Sequence, residues 1–392
     1  VTLVRRCADL PELLSVAAAG FADVALVSAD LRSLDRPALA ELATHGVLVA
    51  GVVAAGDDHG ERHLRQLGLG VVVRADLASS DLDDALDALG HPSASHASSA
   101  VQAGAGRPTS RSPGHGAGSQ VIAVWGATGA PGRSTVALNL SAELAEVGPT
   151  LLVDCDTYGA SQSQALGLLD EAPGIAAAAR AADQGNLDVH ALARVAPEVS
   201  RGLRVLTGLP RADRWTELRA ASVTHVLAVA RELATFVVVD CGFSLEDDEE
   251  LSYDTLAPRR NAATLSAIEA ADHLLVVGSA DPVGLQRLVR AVQDSVDLHV
   301  GARRVVVNRV RAAAVGSHPR RRITEALSRF AGLEDLAFLP DAQEVLDSAM
   351  LAGQTLREHA PECELRTALA DLAQHYAGTA PLRRRRGRSV RR

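Results

Sequence analysis

The sequence predicts an α/β protein built in two globular parts, and three observations predict it. From Gln120 onward the runs VIAVW, TLLVD, LRVLTG, TFVVVD, HLLVVG and RRVVVN are nearly continuous in apolar residues. Strands buried on both faces of a parallel sheet have that composition, and helical stretches fall between these runs. Residues 120–380 are therefore expected to form a doubly wound parallel sheet, with ligands at the carboxyl ends of the strands. Upstream, residues 1–90 alternate short β-rich runs with amphipathic helical stretches. Between the two parts, residues 91–119, HPSASHASSAVQAGAGRPTSRSPGHGAGS, are rich in Ser, Gly, Ala and Pro and carry no apolar periodicity, which marks a flexible linker.

In the first part, strands are expected over residues 2–6, 24–28, 47–53 and 70–74, and helices near 10–19, 36–44, 60–67 and 82–89. These make four βα units. The pattern resembles a response-regulator receiver domain, which has five, with the first strand and helix missing at the N-terminus. Val1 in place of Met is what a truncated fragment or an alternative start codon would leave. The chemistry of a receiver is absent. Its phospho-accepting aspartate ends the third strand, and in ADVALVSADL that position falls on Ser28; the lysine after the last strand falls on Arg74. A shifted register would offer Asp30, beyond the strand end. The expectation is a pseudo-receiver that docks a partner without being phosphorylated.

The second part opens with VIAVW, runs into GATGAPGRST, Gly126 to Thr135, and continues into the helical VALNLSAELAEVG. Strand, glycine-rich loop and helix together build an anion site, because backbone N–H groups surround the anion and the helix dipole points at it. The phosphate-loop pattern G-x-x-x-x-G-K-[ST] adds a lysine on the β/γ oxygens and a hydroxyl on Mg²⁺. Here Gly132 is followed by Arg133. That change is partly compositional, since the chain has no lysine and all 39 of its Lys or Arg positions are arginine. Two later strands end in carboxylates, TLLVD at Asp154-Cys155-Asp156 and TFVVVD at Asp240-Cys241-Gly242. One Mg-nucleotide needs an anion cradle and carboxylates together. The same residues also suit a plainer role, with Gly and Pro making a tight turn and the aspartates capping helices.

On these residues the chain resembles the MinD/ParA family of P-loop ATPases over residues 120–378. Within it, the likeness is to the CpaE/TadZ-like proteins that place a pilus assembly machine and to related actinobacterial septum-site proteins; a receiver-like domain in front of the ATPase domain is a mark of that group. The stretches RNAATLSAIEAADHLLVVGSADPVGLQRL, VVVNRV and LPDAQEVLDSAMLAGQTLRE add to it. The resemblance implies ATP or ADP with Mg²⁺ as cofactors and a homodimer. The family loop K-G-G-x-G-K-[ST] falls on Thr128, Gly129, Ala130, Pro131, Gly132, Arg133 and Ser134, behind Gly126. Arg133 stands at the Walker lysine, and Thr128 at the signature lysine that reaches across the dimer to the partner's phosphate. Ser134 and Asp240 would hold Mg²⁺, Thr135 would sit near the α-phosphate, Asp154 and Asp156 would position water and metal, and Asn308 would meet the adenine edge. With both lysines replaced, nucleotide binding is expected to survive and hydrolysis to be weak or lost.

Composition bounds the remaining choices. Hydrophobic residues at 47% with 22% charged residues describe globular material. Cys7, Cys155, Cys241 and Cys363 have no C-x-x-C spacing, which points away from zinc and disulfide frameworks and toward a reducing cytoplasm. Cys155 and Cys241 each follow a key aspartate and would be neighbours if their strands are. No leader pattern or membrane-length apolar run is evident. The last ten residues, RRRRGRSVRR, hold seven arginines, so without them the chain's net charge of −9 becomes −16. Such a tail suits anionic lipid or an acidic partner. Three functions fit: a positioning protein that recruits pilus-assembly or cell-division components, at the inner face of the membrane or at a pole or septum; an active ATPase cycling on a membrane or nucleoid surface; and a nucleic-acid-binding partition protein, against which the acidic body argues.

Overall fold

The computed structural model describes residues 3–31, 34–76, 118–129, 131–168, 173–247, 258–296, 298, 300–333 and 335–378. The expected helix over 82–89, nearly all of the linker and the arginine tail lie outside the described residues.

The N-terminal part is α1 (Leu10–Ala18), β1 (Val24–Ser28), α2 (Arg36–Thr44), β2 (Leu48–Val53), α3 (Asp58–Leu67) and β3 (Val72–Arg74). Each helix starts where an aspartate side chain accepts a backbone N–H: Asp9 from Glu12, Asp35 from Ala38 and Asp57 from Gly60. The strands form a parallel sheet in the order β1-β2-β3, over a core that includes Leu42 and Leu64. The strand expected over residues 2–6 is not there: residues 3–6 carry no strand pairing, and Leu3 and Val4 are 69% and 60% exposed. The apolar run that suggested it lies against nothing that would bury it.

The second part continues through β4 (Gln120–Trp125), α4 (Arg133–Leu144), β5 (Thr150–Cys155), α5 (Gln162–Ala165), α6 (Gly174–Asp183), α7 (Val189–Val195), β6 (Glu198–Ser200), β7 (Leu203–Leu206), a 3₁₀ turn over Ala212–Glu217, α8 (Ala220–Leu233) and β8 (Phe236–Cys241). Then come α9 (Ala262–Glu269), β9 (His273–Ser279), α10 (Pro282–Asp294), β10 (Ala302–Val310), α11 (Ala312–Val315), α12 (Pro319–Ala331), β11 (Leu336–Pro340), α13 (Gln343–Leu351), α14 (Leu356–His359) and α15 (Glu364–Ala377). The described strands make one sheet in the order β11-β10-β9-β4-β8-β5-β7-β6, parallel except for β6 on β7. Alternation within strands shows why the runs read as continuously apolar. Val121, Ala123 and Trp125 of β4 join the core under α6, α8 and α9, whereas Ile122 and Val124 join the core under α4 and α15. Every second side chain thus has its own apolar layer. No helix among the described residues is long and apolar enough to cross a membrane.

The two parts touch through α2 and α3 on one side and α6 and α8 on the other. The Arg36 guanidinium donates to the Gln66 carbonyl and lies 3.3 Å from His225 Nε2. Asp35 pairs with Arg219 at 3.7 Å, and Leu67 and His63 close over Gly185.

Candidate nucleotide-binding site

Three central strands end at one level. Asp240 on β8 lies in register with Val124 of β4 on one side and Asp154 of β5 on the other. The loop leaving β4 starts at Gly126, where a Cβ would collide with the Val277 carbonyl, and closes at Gly132, whose φ of 94° puts it in the left-handed region. Gly132 is the N-cap of α4 and provides no side-chain cap, so the first N–H groups of α4 are left for a ligand. Asn308, at the end of β10, donates its amide to the Pro131 carbonyl at 2.8 Å and so braces the loop from behind. Ala130 lies outside the described residues.

Arg133 opens α4 and folds back into the loop. Its Nη1 donates to the carbonyls of Gly126 at 3.0 Å and Ala127 at 3.3 Å, and its Nη2 lies 3.4 Å from Asp156 Oδ2. Asp156 Oδ1 accepts the backbone N–H groups of Tyr158 and Gly159. Both Asp154 oxygens are taken by backbone: Oδ1 by Asp156 N, Oδ2 by Ser161 N and Gln162 N at 3.0 Å each. Gln162 joins the parts, since its Nε2 donates to Asp240 Oδ2 at 2.7 Å and to the Ser134 carbonyl at 3.1 Å.

Burial dominates the electrostatics. Asp154 and Asp240 are fully buried, and burial raises both carboxyl pKa values; for Asp154 the neighbouring Asp240 adds to the rise. The Ser134 hydroxyl and Gln162 amide pull Asp240 back down. Asp240 Oδ1 is buried and has no hydrogen-bond partner. Arg133 Nε and Gln162 Oε1 are likewise buried without partners. Three unsatisfied polar atoms in one site are more than a finished interior tolerates. They fit a site built for a charged ligand and a hard cation.

A cavity of about 460 Å³ opens over these groups, lined by Thr128, Gly129, Arg133, Ser134, Thr135 and Asp156 on the loop side and by Tyr158, Phe243 and Arg309 beyond. Of the sequence-derived set, Thr128, Gly129, Gly132, Arg133, Ser134, Thr135 and Asp156 line this cavity, whereas Gly126, Pro131, Asp154, Asp240 and Asn308 do not. Gln162, Tyr158 and Phe243 were not anticipated. The Tyr158 and Phe243 rings pack at a tilt of 43° with centroids 4.6 Å apart, the Arg260 guanidinium sits 3.7 Å over Tyr158, and Tyr158 Oη donates to Asn261 Oδ1. Arg259 pairs with Asp247 in the acidic stretch after β8. Cys155 and Cys241 are register partners, both buried, and burial raises their thiol pKa values. In the N-terminal part Ser28 Oγ accepts from Asp30 N, and Arg74 pairs with Asp76.

The fold is that of the MinD/ParA-family P-loop ATPases. The ParA-family ATPase from Chlorobium tepidum TLS superposes with a TM-score of 0.55 at 17% identity, over 65% of this chain and 99% of that one. The cell-division ATPase MinD of Pyrococcus furiosus gives 0.51 at 19% identity, over 67% and 99%. The septum site-determining protein MinD of Pyrococcus horikoshii OT3, complexed with Mg-ADP, gives 0.51 at 18% identity, over 66% and 95%. No family model matches the chain, and no curated protein matches its sequence.

Proposed function

We propose that this chain binds Mg-ADP or Mg-ATP in the cavity at the strand ends and works as a nucleotide-dependent positioning protein of the CpaE/TadZ-like kind. In this proposal it forms a homodimer that recruits pilus-assembly or septum components, and the N-terminal domain is an unphosphorylated adaptor. The observation that carries the nucleotide part is the convergence of the uncapped start of α4, Arg133 and Ser134 on one cavity, with the half-satisfied Asp240 tied to the Ser134 carbonyl through Gln162.

Ser134 and Asp240 are the residues that would hold Mg²⁺, which when bound neutralises phosphate charge. Arg133 supplies a cation that is already in the loop, held by two carbonyls and Asp156. To reach a phosphate it must give up some of those contacts, and its fork is wider than an ammonium. Asp154 organises the turn over residues 156–162 rather than presenting a free oxygen. Asp156, paired with Arg133, is the carboxylate nearest the cavity for orienting water.

Hydrolysis requires charge stabilisation that is stronger in the transition state than in the ground state. In this loop one arginine and Thr128 stand where the family has two lysines, so turnover is expected far below the roughly 1–10³ s⁻¹ typical of enzymes. Calorimetry with ADP and ATP, run beside phosphate release for the wild type, Arg133→Lys and Arg133→Ala, tests the proposal. Wild-type binding with little turnover supports a scaffold. Robust wild-type turnover that Arg133→Ala abolishes would instead favour an ATPase cycling on a surface, and absence of binding would remove the nucleotide altogether.

A further inference from the structure

Arg309 follows Asn308 at the end of β10, where the pairing with β11 slips its register between Val307 and Val310. Its φ is +57°, and among the described residues only His318 shares a positive φ without being glycine. An L-residue with a long side chain is strained there. Irregularities of this kind re-aim a side chain that regular alternation would send elsewhere, and strain that persists is concentrated at working sites.

The side chain so placed lines the same cavity as Arg133, Ser134, Thr135 and Asp156. Its guanidinium has no ion pair and no hydrogen bond among the described residues. The contrast with its neighbours is informative: Arg311 is paired with Asp341 at 3.4 Å, and Arg133 lies beside Asp156. Asp156 is the one carboxylate among the residues lining that cavity, against two guanidiniums. The wall thus has a cationic surplus, and Arg309 is the part of it that is uncommitted. A partly buried cation without a counter-charge is costly unless an anion arrives.

We infer that Arg309 is a second phosphate-binding cation of this site, supplying from the end of β10 the positive charge that Thr128 does not supply from the loop. The inference rests on the nucleotide-binding reading and deepens it: the ligand class is a polyphosphate, held by two arginines on different elements. Arg309 is assigned to binding and has no assigned part in bond breaking.

The test is Arg309→Gly, compared with the wild type and Arg309→Lys. Glycine adopts a positive φ freely, so Arg309→Gly should melt at the same temperature as the wild type or higher, which separates lost affinity from lost fold. Calorimetry with Mg-ADP, and displacement of ADP by inorganic pyrophosphate, should both show affinity reduced by roughly tenfold or more in Arg309→Gly, the loss expected for one charge-assisted contact. Arg309→Lys should recover part of it. Wild-type affinity for ADP in Arg309→Gly would overturn the inference while leaving the nucleotide reading intact. A loss confined to ADP, with pyrophosphate unaffected, would also overturn it, because it would place Arg309 on the base. If the wild type binds neither probe, the nucleotide reading falls and the inference with it.

Discussion

Asp240 is a carboxylate in an unfavourable place: fully buried, its pKa raised by burial, and with one oxygen unpartnered. Such a group is retained at a cost to the apo protein. Asp240→Asn should therefore stabilise the free protein, by about 1 kcal/mol and a few degrees in melting temperature. It should also remove the additional stabilisation by Mg-ADP, which thermal unfolding with and without ligand checks. At this scale the sequence exposed the residues whose spacing is imposed by backbone. Gly126, Gly132 and Ser134 are legible because a loop between strand and helix needs them in that order, and Asp154 and Asp240 because each stands near the end of a buried apolar run. Gln162 is not legible, since its amide reaches Asp240 across 78 positions of sequence and its surroundings in the chain are an ordinary polar turn. Nor is the fold-back of Arg133, which depends on where two carbonyls and Asp156 happen to point.

Among the elements, α4 has the heaviest task, because its start forms the loop and its body lies between the sheet and α15. Every residue from Val136 to Leu144 is buried, including Asn139 and Glu143. Both polar side chains have partners. Asn139 Oδ1 accepts Leu356 N at 2.8 Å. Glu143 takes Arg366 in a bidentate pair at 2.8 Å and Arg357 at 3.1 Å. Glu143→Ala should lower stability by about 3 kcal/mol, since it strands two arginines against α4, with Glu143→Gln less damaging. Denaturant unfolding of both variants checks this, and an effect of Glu143→Ala below about 0.5 kcal/mol would show that solvent screens the pair. The central strands were readable because burial on both faces writes a continuous apolar run. The edge strands β6 and β11 were not, being short and only partly buried, so no such run is required of them. In the N-terminal part the run over residues 2–6 misled for the converse reason: apolar residues alone do not supply a partner strand.

On the scale of the whole molecule, the contact between the two parts is polar and titratable. His225 on α8 has its pKa pushed down to about 4, first by burial and then by Arg36 of the N-terminal part. In the unfolded chain it takes a proton near pH 6.5. Between those values the unfolded state holds more protons than the native one, so stability falls as the pH drops from 6.5 toward 4 and is unaffected by this group above that window. With His225 only half-buried and so partly screened, the loss attributable to it by pH 5 is on the order of 1 kcal/mol. His225→Gln should flatten that part of the profile. Melting temperatures of the wild type and variant at pH 7.5 and pH 5 give the comparison, and parallel losses in the two proteins would assign the pH dependence elsewhere.

The tie between β4 and the segment after β8 has an optical consequence. The chain has two tryptophans. Trp125 is buried at the last position of β4 and donates its indole N–H to the Phe243 carbonyl at 3.1 Å. Phe243 lines the cavity and packs at a tilt against Tyr158. Trp215 stands 5.4 Å from the Arg260 guanidinium, which in turn covers Tyr158. One indole therefore senses the cavity wall from beneath and the other from its rim. Indole emission shifts with hydrogen bonding at the ring nitrogen and with nearby charge, so the protein carries two built-in chromophores beside the residues that line the cavity. Their fluorescence is therefore expected to change when the site is filled, a useful readout in a chain with no lysine side chain on which an amine-reactive dye could be placed.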